Sequence, residues 1–173
     1  DPGRISLNLS LKQLRQASFI LRCRSVFRKH GVSPTSFELE ITETTLMADA
    51  KRTVRLLDEL YAMGLHLSID DFGTGYSSLA YLQQFPVDAL KIDRTFIGSS
   101  THSPESDALV QTLVQLGRSL GLKTVAEGVE DVAQLTRLHE LGCDRGQGYL
   151  FAPPLEVAAL ERFLAGQAPA LIL

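Results

Sequence analysis

Cysteine is nearly missing from this chain of 173 residues, which carries only Cys23 and Cys143. The two fit no metal-binding or redox spacing, and without a disulfide framework the chain suits a reducing compartment, the cytoplasm. Concentrated positive charge is missing too. Lys and Arg total 17 against 20 Asp and Glu, for a net charge of −3, and no basic run exceeds a few residues. That argues against polymeric DNA or RNA as a partner, while one small phosphorylated ligand stays compatible. No apolar run reaches transmembrane length and no signal-peptide pattern is present. His30, His66, His102 and His139 are scattered, with no pair at ligand spacing. No GxGxxG phosphate fingerprint follows the first strand-like segment. What is present, 45% hydrophobic and 21% charged residues, is the composition of one globular domain with a real core. The chain begins Asp-Pro-Gly without an initiator Met, the expectation for a piece of a longer protein.

Strand and helix signals alternate. Strands are expected at residues 5–9, 37–42, 65–70, 89–93, 123–127 and 148–151. Helices are expected at residues 11–30, 46–63, 78–85, 105–120, 131–141 and 155–165, with Gly31, Gly64, Gly121 and Gly142 as stops. The apolar tail, residues 169–173, has no place in this pattern. Six βα units with connections long enough for right-handed crossovers fit a doubly wound sheet or a (β/α)8 barrel. Charged residues at nearly every strand end favour the barrel, whose ligand site gathers side chains from many strand ends.

The stretch DDFGTGYSSL, residues 70–79, stands out. Asp70 and Asp71 sit where a strand ends, and two adjacent carboxylates there require a compensating cation if they turn inward. Gly73 and Gly75 permit a tight backbone path, and hydroxyls follow at Thr74, Tyr76, Ser77 and Ser78. A polar turn with Ser78 capping a helix is the plainer reading. In FELEIT, alternation places Glu38, Glu40 and Thr42 on one face, which a strand buried on both sides does not tolerate without a reason; an exposed edge strand would explain them as well. Glu43 follows the strand end, as a helix-start carboxylate or a holder of the neighbouring loop. Lys91 and Asp93 share a face in ALKID, as a mutual ion pair or as groups for a phosphate oxygen or a water. Glu127 and Glu130 frame Gly128 in VAEGVE. Asn8 in LNLS is a neutral oxygen ligand or a core amide, and Gln147 lies between two glycines that would let a ligand approach the backbone. Asn8, Glu40, Asp70 and Asp71 offer only hard oxygen ligands, which select Mg²⁺ or Mn²⁺ over zinc. With a lysine and further glutamates they suit metal-assisted displacement at phosphorus.

With these residues assembled, the chain closely resembles the EAL domain family of bacterial cyclic-di-GMP phosphodiesterases. LNLS, LEITE, DDFGTGYSSL, LKIDRTF, VAEGVE and GCDRGQGYLF occur in that family's order and spacing over residues 7–154. The resemblance implies an α/β, (β/α)8 TIM-barrel-like fold truncated to about six βα units, with residues 1–173 a partial EAL domain lacking its first two strands. It implies hydrolysis of cyclic-di-GMP to linear pGpG with two divalent cations, Mg²⁺ or Mn²⁺. Asn8, Glu40, Asp70, Asp71 and Asp93 would be metal ligands. Lys91 would contact the attacking water or the phosphate, and Glu127 would be the general-base candidate. Gln147 would hold the water or a metal-linked network, and Glu43 would fix the DDFGTG loop. Asp93, Gly128 and Glu130 would line the substrate side. The family's eponymous Glu-Ala-Leu tripeptide is not in the sequence, so one metal ligand would be missing, and the unpaired strand edges would favour a homodimer or higher oligomer. The parent would carry sensory or GGDEF-type domains and membrane anchoring through other segments. A non-catalytic cyclic-di-GMP receptor is the alternative, and a Mg²⁺-dependent enolase-like barrel explains the carboxylates but not the ordered motifs.

Overall fold

A computed structural model describes residues 3–75, 79–98 and 104–167. The chain divides into two compact units, Asp1–Lys91 with Leu120–Leu122, and Ile92–Ser119 with Lys123–Leu173. No helix among the described residues is long and apolar enough to cross a membrane.

The first unit contains β1 (Ile5–Asn8), α1 (Leu11–Leu14), α2 (Phe19–His30), β2 (Phe37–Thr42), α3 (Glu43–Met47), α4 (Ala50–Ala62), β3 (His66–Phe72), α5 (Leu79–Leu82) and β4 (Ala89–Ile92), whose last residue falls in the second unit. The strands lie side by side in chain order. β1 pairs parallel with β2, Asn8 level with Glu40, and β2 pairs parallel with β3, Glu40 level with Ser68 and Thr42 with Asp70. Parallel partners point the same way, so one face carries Asn8, Glu40, Thr42, Ser68 and Asp70. The other carries Leu39, Ile41, Leu67 and Ile69, all buried. Against that apolar side α4 packs on β3, with Thr53, Leu57 and Leu60 buried at the 3–4-residue spacing of one helix face. Each fully buried leucine stabilises by about 1.5–3 kcal/mol.

The second unit contains α6 (Arg94–Ile97), α7 (Pro104–Ser119), β5 (Lys123–Glu127), α8 (Val132–Leu141), β6 (Arg145–Gln147) and α9 (Val157–Arg162). β5 and β6 pair parallel, Glu127 level with Gln147. α7 packs on β5 and buries Val110, Leu113 and Val114. A capping box between Asp131 and Gln134 starts α8, and Gly142 ends it at φ 77°, a left-handed turn that costs glycine least. Cys143 is buried, and burial pushes its thiol up, so it behaves as a small apolar group. Burial alone would raise the Asp144 carboxyl, but the Lys123 ammonium and the Thr124 donors outweigh it and hold the group below its ordinary value.

Several sequence expectations need correction. The helix expected over residues 11–30 is two helices. A Ser10–Gln13 capping box starts α1, and the apolar stripe then loses phase, because Ser18 stands where Leu14 plus one turn needs an apolar residue. The helix expected over 46–63 also divides: Thr42 caps α3 directly after β2, and Asp49 accepts from the Arg52 amide to start α4. β3 runs to Phe72 rather than stopping at Asp70. The expected strand at 89–93 stops at Ile92, because Asp93 caps α6. The last strand is Arg145–Gln147, not 148–151. Instead the Leu150 amide donates to the Val129 carbonyl at 3.0 Å and the Phe151 amide to Gly148 at 3.1 Å, folding that apolar segment into a turn. Tyr76, Ser77 and Ser78, including the expected Ser78 cap, and the tail at 169–173 lie outside the described residues.

Candidate functional site

In the first unit, strand alternation builds a buried ionic cluster. Lys91 Nζ lies 2.8 Å from Glu40 Oε1 and 3.3 Å from Asp70 Oδ1, and its side chain is only 5% exposed. β2 is flanked by β1 and β3, so the edge-strand explanation of Glu40 fails, and Glu40 is buried. Lys91 thus has two carboxylates, Glu40 and Asp70, within ion-pair reach. Asp70 Oδ1 is buried yet accepts no hydrogen bond with acceptable geometry among the described residues; the lysine stands at ion-pair distance only. Asp71 adopts φ 52°, a left-handed conformation uncommon for a residue with a Cβ. That turn breaks strand alternation, and the Asp70 and Asp71 carboxylates come within 4.8 Å of each other. Backbone strain of this kind gathers at functional sites. Asn8, level with Glu40, is exposed. Glu43 opens α3, where it is buried, and its Oε2 accepts from the amides of Gly73 at 3.1 Å and Gly75 at 3.3 Å. The expected loop-holding role therefore has a direct geometry.

The remaining expected site residues belong to the second unit. Asp93 Oδ1 accepts from the Thr95 amide at 2.8 Å and from its hydroxyl, so it caps α6 instead of extending β4. Glu127 ends β5 level with Gln147, which is inside β6 and not ahead of the last strand. The Gln147 carbonyl accepts from the Val129 amide at 3.0 Å. Glu130 precedes the cap residue of α8, and its amide donates to Gln134 Oε1 at 2.7 Å. Gly128 sits at φ 71°, where an added Cβ would meet Arg94 Cβ at 2.6 Å. Arg94 thus packs closely against Gly128, a contact the sequence reading missed.

A family model of the EAL domain matches residues 1–154. The chain belongs to the EAL domain family. Over 161 residues it is 45% identical to the cyclic di-GMP phosphodiesterase NbdA of Pseudomonas aeruginosa, covering 93% of this chain and 21% of that protein. Over 156 residues it is 46% identical to the bifunctional diguanylate cyclase/cyclic di-GMP phosphodiesterase MucR of the same organism, 90% of this chain and 23% of that protein. The EAL chain thus spans under a quarter of these relatives. Among solved structures, the PaMucR phosphodiesterase in complex with c-di-GMP superposes with TM-score 0.87 at 45% identity, covering 91% of this chain and 64% of that one. A manganese and cyclic-di-GMP complex of Klebsiella pneumoniae BlrP1 superposes with TM-score 0.79 at 30% identity, covering 87% and 39%. The fold class is the one these structures share, α/β and TIM-barrel-like in truncated form.

In this EAL domain the donor set fits a divalent cation. Asp70 Oδ1 is a buried anionic oxygen that, among the described residues, has the Lys91 ammonium at ion-pair distance but no hydrogen-bond partner. The neighbouring Asp71 carboxylate comes within 4.8 Å of the Asp70 carboxylate, and all candidate ligands are oxygens. Ser68 is a second group the sequence reading missed. Its hydroxyl is wholly buried, level with Glu40 on the same face, and without a hydrogen-bond partner among the described residues. The alternation in HLSID, with Leu67 and Ile69 apolar, carries that signal.

Glu43 tests how the DDFGTG loop is held. Removing it in Glu43→Ala leaves the amides of the exposed Gly73 and Gly75 without this acceptor, a loss of about 1.5–3 kcal/mol for hydrogen bonds to a charged group. Hydrogen exchange at these two amides is expected to quicken by about tenfold or more, and unchanged exchange would mean that other contacts hold the loop.

Proposed function

We propose that the chain is part of a cyclic-di-GMP phosphodiesterase, a partial EAL domain without its first two strands, which hydrolyses the cyclic dinucleotide to linear pGpG with two divalent cations, Mg²⁺ or Mn²⁺. The observation that carries this reading is the buried Lys91–Glu40–Asp70 cluster, in which Asp70 Oδ1 has no hydrogen-bond partner among the described residues besides its ion pair with Lys91. Asn8, Glu40, Asp70 and Asp71 would hold the cations, with Asp93 in support. Bound there, the cations would supply Lewis-acid polarisation of the phosphoryl oxygens and a more acidic water. The Lys91 ammonium would contact a phosphate oxygen or the attacking water, and its two carboxylate neighbours, 2.8 and 3.3 Å away, hold it in position. Glu127 would take the proton of the attacking water, and Gln147, level with it, would hold that water by its side-chain amide. Glu43 positions the loop after Asp71. Gly128 and Glu130 would line the substrate side.

The parent would be a cytoplasmic signalling protein with further domains, as the two activities in MucR's name illustrate. Ile5 and Leu7 on β1 are 58% and 47% exposed, and Leu7, Phe19 and Val26 line an apolar groove of about 480 Å³. This surface would pair with a second copy to give a homodimer or higher oligomer.

The test is incubation with cyclic-di-GMP and Mn²⁺ or Mg²⁺, following pGpG by chromatography and binding by calorimetry. Cation-dependent pGpG that a chelator abolishes is the expected result. Because the Glu-Ala-Leu tripeptide is not in the sequence, binding without product would instead support a non-catalytic receptor, and absence of binding would overturn both.

A further inference from the structure

The two strand pairs β3–β4 and β5–β6 carry the same clamp at their starts. In the first, Asp88 Oδ2 accepts from the Leu67 amide at 2.9 Å, the Asp88 amide donates to the Leu67 carbonyl at 2.8 Å, and His66 Nδ1 stands 3.3 Å from the same carboxylate. In the second, Asp144 Oδ2 accepts from the Thr124 amide at 3.0 Å and from its hydroxyl at 3.0 Å, while Lys123 Nζ lies 2.7 Å from Asp144 Oδ1. The spacing upward also repeats. Four residues beyond His66 is Asp70, and four beyond Lys123 is Glu127; three beyond Asp88 is Lys91, and three beyond Asp144 is Gln147. At the upper end each acid meets the neighbouring strand's polar residue, Asp70 with Lys91 at 3.3 Å and Glu127 level with Gln147. Neither Asp88 nor Asp144 has a place in the chemistry proposed above.

A parallel ladder has evenly spaced hydrogen bonds and does not by itself distinguish one register from the next. A slip of one residue moves a strand by about 3.3 Å and reverses every side chain. Asp70 would then lose Lys91. An aspartate whose carboxylate accepts from the facing residue's amide while its own amide donates back to that residue, Asp88 to the Leu67 carbonyl and Asp144 to the Thr124 hydroxyl at 3.2 Å, makes a two-point contact that only one register satisfies. We propose that Asp88 and Asp144 are equivalent positioning residues, each locking the register of one strand pair so that the acid farther along it, Asp70 or Glu127, stands beside Lys91 or level with Gln147. The metal-binding consequence rests on the functional reading above; the register role does not.

The experiment compares Asp88→Ala, Asp88→Asn and the unaltered chain by amide exchange at Leu67 and by Mn²⁺ calorimetry. In Asp88→Ala, Leu67 exchange is expected to rise by about tenfold while Thr124 stays unchanged, and Mn²⁺ binding is expected to weaken by about fivefold or more. Asp88→Asn retains an oxygen for the Leu67 amide and should return both values to within about twofold of the unaltered chain. Unchanged Leu67 exchange in the alanine variant, or an asparagine variant as impaired as alanine, would overturn the proposal. So would quickened exchange with unchanged Mn²⁺ affinity, which marks a merely structural contact. If the unaltered chain binds no Mn²⁺, the metal reading fails alone, and Leu67 exchange with asparagine rescue still decides the register role. Asp144→Ala and Asp144→Asn repeat the comparison at Thr124, which keeps the test decisive if Asp88→Ala does not fold.

Discussion

Replacing Lys91 by methionine is expected to destabilise the first unit by about 3–5 kcal/mol, the usual cost of removing one partner from a buried ionic group. The side chains of Lys91, Glu40 and Asp70 are 5%, 10% and 14% exposed, with the ammonium 2.8 and 3.3 Å from the two carboxylates. Methionine fills much the same volume but leaves two acids facing each other with little water to screen them. The urea midpoint should therefore fall by about 1 M or more. A divalent cation can replace the lost charge, and ligand binding stabilises by mass action, so added Mn²⁺ should raise the midpoint of the variant more than that of the unaltered chain. Under the phosphodiesterase reading, turnover should drop by about a hundredfold or more while Mn²⁺ affinity changes far less, because the ammonium acts on the reacting groups. Equal losses of affinity and turnover, or a midpoint indifferent to Mn²⁺, would make Lys91 a structural counter-ion only.

That cluster was half legible in the sequence. Alternation in FELEIT put Glu40 on the polar face with Glu38 and Thr42, and the apolar run before Asp70 placed it on a strand, although that strand continues to Phe72. Which cation balanced these acids was not, because Lys91 is distant in the chain and only the sheet order brings β4 beside β3. Asp93 shows the opposite limit. Its two-residue spacing from Lys91 suggested a shared strand face, but Asp93 also has Thr95 within reach of an N-cap bond, and the local side-chain-to-backbone bond ended the strand. Helix breaks were hidden for a related reason. Apolar residues on both sides of Arg15–Ser18 suggested one long helix, whereas the stripe's change of phase, with Ser10 capping one piece, favoured two. The relation between Asp88 and Asp144 was invisible until the hydrogen bonds were seen, since the two strand pairs share almost no residue identities apart from those aspartates.

Gly148→Ala is expected to cost about 3–4 kcal/mol, in the range reserved for a forced backbone clash, although an added methyl in an open turn would be nearly neutral. A Cβ at this position would overlap the Val129 carbonyl oxygen and amide nitrogen, and would stand 2.7 Å from the Val129 carbonyl carbon. These are backbone atoms, so no side chain can rotate away. Val129 is also the anchor of its surroundings: its amide donates to the Gln147 carbonyl at 3.0 Å and its carbonyl accepts the Leu150 amide at 3.0 Å. Relief of the overlap must therefore break one or both bonds, and either movement displaces Gln147 from its level beside Glu127. The fall in stability should come with faster exchange at the Val129 and Leu150 amides, while Leu67 in the first unit keeps its rate. Gly128→Ala is expected to be costly as well, because its Cβ would stand 2.6 Å from Arg94 Cβ, an atom the backbone fixes, and φ 71° further penalises alanine. A Gly148→Ala protein as stable as the unaltered chain would show that the bend at 148–150 opens easily. The close packing of Val129 would then not be what holds Gln147 at the end of β6.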